Sequence, residues 1–204
     1  MTFAAWLSVA SICLLGAVSP GPSLAMVLRH TLEGSRWQGM LAALSHGAGV
    51  GLYALLVVLG LGHLLAEQPL VFSLLTYAGA AYLAWLGWKA LSAAGSGQLQ
   101  TPQGLGEGSL LAAIRDGFLV AFLNPKIAIF FVALFAQFLQ PGQALEGKLI
   151  LAATAWMIDT GWYLLVAYGL SHSLVLPWLQ RHALWINRIT GVLLLLLALR
   201  VVTL

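Results

Sequence analysis

Long apolar runs separated by short polar turns dominate the chain. Thr2 to Leu28 carries no charged residue and exceeds the roughly 20 residues a membrane-crossing helix needs. Arg29, His30, Glu33 and Arg36 then form a polar turn before a second charge-free stretch, Trp37 to Ala66. Glu67-Gln68-Pro69 is a tight turn, and a third run spans Leu70 to Leu91. Ala94 to Gly108 is rich in Gly, Ser, Gln and Pro and has no apolar period, so it reads as a linker. Beyond it the pattern recurs in Ser109 to Phe138, Lys148 to Ser171 and Leu184 to Val202, with Pro141-Gly142 and a loop holding Pro177, Arg181 and His182 between them. The pattern predicts an all-α membrane protein of six transmembrane helices. Residues 1–93 form a first three-helix repeat, 94–108 a cytoplasmic linker and 109–204 a second three-helix repeat.

Two of the six runs are interrupted by proline. Ser19-Pro20-Gly21-Pro22-Ser23 breaks the first and Asn124-Pro125-Lys126 the fourth, about half a chain apart. Proline in a helix interior removes a donor and clashes with the carbonyl four residues back. A Ser or Asn before it suits the start of a new helix. Each stretch therefore predicts a helix that stops and restarts, with Ser19 and Asn124 as caps. In lipid such a break is tolerated where it is packed in protein or lines a wet cavity. Paired breaks in corresponding positions of two halves point to the substrate site of a secondary transporter. Depth argues against assuming that the breaks are level. Counted along a helix, Ser19 lies about 24 Å from Phe3, whereas Asn124 lies only about 10 Å from Gly117.

Composition fits a membrane protein and narrows its partners. Of the 204 residues, 61% are apolar and 7% are charged, and the mean hydropathy is +0.95. A formal net charge of +3 is scattered over several loops, which argues against nucleic acid as a partner. The single cysteine, Cys13, excludes an internal disulfide and any paired-cysteine motif. No basic residue precedes the first run, so it is expected to be a permanent span rather than a cleaved signal. Arg29, Arg36, Lys89, Arg115, Arg181 and Arg188 follow spans one, three and five or precede the next, against Lys148 and Arg200 on the other side. The first group is expected to be cytoplasmic, placing both termini outside. Three spans per half then make the halves inverted repeats.

The restarting helix ends supply partial positive charge and free N–H groups that bind anions. The carbonyls released upstream, those of Gly16, Val18 and Ala121, would accept from a cation. A zwitterionic amino acid fits that arrangement. Lys126 and Asp159 are the charges deepest within spans. Each costs roughly 2.5–3.5 kcal/mol at a membrane centre and so calls for a partner. They are expected to face one cavity and neutralise each other when it is empty, with Asp159 alternatively carrying a proton or meeting the substrate ammonium. The expected substrate-binding set is Ser19, Pro20, Gly21, Pro22, Ser23, Asn124, Pro125, Lys126 and Asp159. His46, Tyr53, Trp162 and Tyr163 are candidates to line the cavity, and His46 or Asp159 to couple protons. His30, His63, His172 and His182, near span ends, are expected to face water or headgroups. No metal or other cofactor is implied, because no His/Cys/Asp cluster has metal-ligand spacing. Ser19, Ser23, His46 and Asp159 contain the residue types of a serine nucleophile and its base, but no Gly-x-Ser-x-Gly accompanies them. An enzyme is therefore not expected.

These motifs resemble, nearly end to end, the lysine exporter / homoserine–threonine resistance (LysE/RhtB) family of amino-acid exporters. The resemblance is carried by Ser19-Pro20-Gly21-Pro22, by Ala78-Gly79-Ala80-Ala81-Tyr82-Leu83 with Leu86-Gly87, and by Gly117-Phe118-Leu119 through Leu123-Asn124-Pro125-Lys126 to Phe130-Phe131. It continues in Asp159 and Ile186-Asn187-Arg188-Ile189-Thr190-Gly191. It implies a bacterial inner-membrane exporter of amino acids or close derivatives, driven by proton exchange, with a homodimer as a candidate assembly. Many relatives carry an acidic residue early in span two, where this chain reads His46-Gly47-Ala48-Gly49-Val50-Gly51. Any coupling role of that carboxylate would pass to His46 or Asp159 here. Few intramembrane charges favour a neutral, threonine- or homoserine-like substrate over lysine. The alternatives are a cation or metal-ion exporter and, in other classes, an intramembrane enzyme or a non-transporting scaffold.

Overall fold

A computed structural model of the chain describes residues 2–92, 109–169 and 175–203, so the expected linker at 94–108, like His172, lies outside the described residues. Among those residues the fold is all-helical. Four helices are long and apolar enough to cross a membrane unaided, and two bent pairs raise the count to six if each pair is one span. The bent pairs are α1 (Phe3–Val18) with the stretch Pro22–Gly34 that begins as α2 (Pro22–Arg29), turned by 58°, and α5 (Leu110–Phe122) with α6 (Pro125–Ala136), turned by 48°. Each is followed by two long helices. These are α3 (Arg36–Glu67) and α4 (Pro69–Ser92) in the first half, and α7 (Leu145–Gly169) and α8 (Val175–Thr203) in the second.

Local sterics set the breaks. The residue before a proline is driven out of the helical region, and both Ser19 (φ −60, ψ 124) and Asn124 (φ −83, ψ 109) are extended. The two restarts differ. Asn124 caps α6 as expected, its Oδ1 accepting from the Lys126 backbone N–H at 3.0 Å. Ser19 does not cap α2. It closes α1, its N–H donating to the Leu15 carbonyl at 3.1 Å, and α2 starts two residues later with Pro22 as first residue and Gly21 as a cap without a side chain. The second proline, rather than the first, supplies the preset helical φ.

After α2 a π-turn, His30–Gly34, carries the chain to Ser35, whose hydroxyl caps α3. The 32 residues of α3 extend about 48 Å at 1.5 Å per residue, more than a hydrocarbon core of about 30 Å requires. At the other end of the sequence the helix is longer than hydropathy indicates. Pro177, Arg181 and His182 lie on α8 and not in a loop. Pro177 is in the first turn, where its missing N–H removes no intrahelical bond.

Helix α3 is the centre of the bundle, packed between α5 and α7, while α1 lies on α7 and α4 is held by α8 and α6. Exchanging the halves maps the contact of α3 with α5 onto that of α7 with α1, as repeats would require. Small residues permit these approaches. A Cβ on Gly47 would collide with the Thr160 side chain, and one on Gly117 with the Ala42 carbonyl. Gly87 of α4 and Gly191 of α8 face each other, a Cβ on either falling 2.8 Å from the other's carbonyl oxygen. Those contacts bring α7 and α5 onto the stretch of α3 that carries His46.

Candidate functional site

The two breaks meet at one partly open cavity. Different depths along the sequence do not separate them, because both bent pairs deliver their breaks to the same place. Of the expected residues, Ser19, Gly21, Pro22, Ser23, Asn124, Lys126, Asp159 and Tyr163 line it. Pro20 and Pro125 shape the turns without lining the cavity.

At the first break α2 presents an N-terminus that no side chain caps. Pro22 has no N–H, so the first donors available are those of Ser23 and Leu24. These carry the partial positive charge of the helix end. The Lys126 side chain reaches across from α6 and brings its Nζ within 3.7 Å of the position a Cβ on Gly21 would occupy. The ammonium and the open helix end face the same side of the cavity, an arrangement able to hold an anion. Released carbonyls are fewer than the sequence suggests. The Ala121 carbonyl is taken by the Asn124 N–H at 3.3 Å. The Ala17 carbonyl, which in an unbroken helix would accept from Gly21, accepts from the Tyr163 hydroxyl at 3.1 Å.

Asp159, on α7, supplies the negative side. Its expected partner is Lys126, but the hydrogen bond it forms is with His46. The His46 Nδ1 lies 2.8 Å from Asp159 Oδ2, and among the described residues Lys126 makes no ion pair. The physical reason is helix adjacency: Gly47 lets α7 pack directly on α3, so His46 is nearer to the carboxylate than anything on α6. His46 is fully buried and stands behind Asp159 rather than on the cavity wall. Its ring and that of Tyr163 pack edge to face at 4.9 Å between centroids, and among the described residues its Nε2 has no hydrogen-bond partner. Tyr53 and Trp162 are not cavity residues. Tyr53 packs edge-on against Phe122, and Trp162 packs against the core formed by α2, α3 and the C-terminal part of α7.

Two features were not legible beforehand. The first is the apolar wall of the cavity, formed chiefly by Cys13, Gly16, Ile127, Phe130 and Phe131. The i, i+4 spacing of Lys126 and Phe130 was an available signal for it. The second is a polar cluster between α2 and α5. Asp116 Oδ2 accepts from Arg29 Nη2 at 2.6 Å and lies 3.2 Å from His30 Nε2, while Oδ1 binds Arg115 Nη2 at 3.0 Å. His30 was expected to face water and is instead buried, with 4% of its surface exposed. A separate open cleft touches this cluster, lined by Arg29, Arg115 and Asp116, and it shares Pro22 with the central cavity. Helix α2 thus begins at one space and ends beside the other.

Comparison with known proteins adds the lineage. A homoserine/homoserine lactone efflux protein of Salmonella typhimurium is 35% identical over 162 residues, 78% of this chain and 77% of that protein. A threonine efflux protein of Escherichia coli is 25% identical over 190 residues, 92% of each. A membrane protein of Bacillus subtilis, YrhP, is 25% identical over 170 residues, 79% of this chain and 81% of its own length. No solved structure gives a significant match. The LysE type translocator family matches residues 14–204, which takes in both breaks and every cavity residue named above except Cys13. The chain is a membrane protein of the LysE translocator family.

Proposed function

We propose that the protein is a secondary transporter that exports a small neutral amino acid or derivative from the cytoplasm in exchange for protons, by alternating access. The observation that carries this is the pair of opposite charges, Lys126 and Asp159, in one cavity between two helix breaks. A carboxylate would be held by the Lys126 ammonium and the open end of α2, and an ammonium by Asp159. Relatives named for homoserine and threonine efflux support a substrate of that class. Proton exchange follows if Asp159 binds either a proton or the substrate ammonium. Protonation on the acidic outer side releases the substrate, and loss of that proton on the cytoplasmic side restores the carboxylate. The excess of Lys and Arg supports an inner-membrane orientation with both termini outside and the 94–108 linker in the cytoplasm.

The test is efflux of a panel of amino acids from preloaded cells against an empty vector, with and without collapse of the pH gradient. Threonine, homoserine or a similar neutral amino acid should leave faster than from the vector, and dissipating the gradient should slow it. Export of none of them overturns the reading and directs attention to inorganic cations.

In this scheme the cluster of Arg29 and His30 with Asp116 is a cytoplasmic latch that ties α2 to α5. Asp116→Asn loosens it, and the chain's single cysteine reports the result, because Cys13 lines the cavity. In inside-out vesicles a membrane-impermeant thiol reagent should label Cys13 several-fold faster in the variant than in the wild type. Equal rates would mean that the cluster does not guard the entrance.

A further inference from the structure

We infer that Gly16 and Phe130 together form the side-chain size filter of the cavity, so that this wall decides which neutral amino acids are accepted. The inference rests on the amino-acid reading given above and adds to it the residues that select among amino acids. Lys126 and Phe130 are four residues apart on α6, and such residues share a helix face about one turn, or about 6 Å, apart. Both line the cavity. A ligand whose carboxylate sits at Lys126 therefore has Phe130 one turn away as the nearest surface for its side chain. The apolar lining residues Cys13, Gly16, Ile127 and Phe131 share the cavity with it, and none of them carries a charge, a carboxamide or a hydroxyl. This wall selects by volume.

The ring of Phe130 is held against α1 by the missing side chain of Gly16. A Cβ there would fall 3.1 Å from Phe130 Cζ and 3.5 Å from each Cε, so the ring tip occupies the notch that glycine leaves. The ring also packs against Phe131 at 5.6 Å between centroids, and Phe131 stacks in turn on Phe135 at 5.2 Å. Gly16 and Phe130 both line the cavity. Adding a methyl at Gly16 makes the cavity smaller, and removing the ring makes it larger.

Protection of Cys13 from alkylation reads occupancy of this cavity independently of export. Purified wild type, Gly16→Ala, Phe130→Ala and the milder Phe130→Leu would be titrated with alanine, threonine, leucine and phenylalanine. A single methylene in an apolar pocket discriminates by about tenfold or more. Phe130→Ala should therefore raise protection by leucine relative to threonine about tenfold, Phe130→Leu should do so to a smaller extent, and Gly16→Ala should lower the same ratio. If amino acids protect the wild type but the leucine-to-threonine ratio is unchanged in all folded variants, the size filter is wrong and the transport reading stands. If no amino acid protects the wild type, the substrate class itself is wrong and the filter fails with it.

Discussion

Asp159→Asn lowers efflux about ten- to hundredfold while leaving the protein folded. Asparagine keeps the shape of the side chain, and its amide can still bond His46 Nδ1 across the 2.8 Å now spanned by the carboxylate. The packing of α7 on α3 is therefore retained. What disappears is the negative charge at the cavity wall. A hydrogen bond to a charged group contributes about 1.5–3 kcal/mol, which corresponds to roughly one to two decades in affinity for an ammonium. The carboxylate is also the group proposed to alternate between proton and substrate, so response to the pH gradient goes with it. Efflux from preloaded cells and a thermal unfolding scan of the purified variant separate the two contributions. An unchanged gradient-driven rate would leave Asp159 a structural partner of His46 and make His46 the next residue to replace.

Lys126→Met should move stability and transport in opposite directions. The ammonium lies within a membrane-spanning pair and, among the described residues, has no ion pair. A lysine at a membrane centre costs roughly 2.5–3.5 kcal/mol. Methionine is of similar length and apolar, so the variant should unfold at a higher temperature than the wild type. A functional site commonly carries such a cost in stability. The same change removes the charge opposite the open end of α2. Export of a carboxylate-bearing substrate should fall about tenfold or more, by the same arithmetic of charged hydrogen bonds. The amide of that amino acid, which has no carboxylate to lose, should be affected less. A lower unfolding temperature, or equal losses for the acid and its amide, would remove Lys126 from the binding site.

The stretches that act over a few residues were legible in the sequence. Proline sterics reach no further than the preceding residue and the carbonyl four back. The breaks at Ser19-Pro20-Gly21-Pro22 and at Asn124-Pro125 could therefore be placed with no knowledge of the fold. Hydropathy is equally local, which is why all six apolar runs coincide with helices or bent pairs. Finer local choices were less secure. Between two prolines in three residues, sterics alone do not say which one starts α2. The structure selects Pro22, leaving Ser19 to end α1 and Gly21 to leave the next helix uncapped.

The identity of charge partners was not legible, because it depends on which helices touch. Asp159 and Lys126 were the obvious pair by sign and burial. The close approach of α3 and α7 at Gly47 and Thr160 gives Asp159 to His46 instead and leaves Lys126 facing the cavity alone. The meeting of Arg29 and His30 with Asp116, and the seating of Phe130 in the notch at Gly16, are of the same kind. Sequence by itself determined that this is a helical membrane protein with two broken spans and two deep charges. Tertiary structure alone decided that the breaks share one cavity and which side chains complete it. The reason is physical: backbone breaks arise from interactions within a turn of helix, whereas a cavity exists only where residues far apart in the chain are packed together.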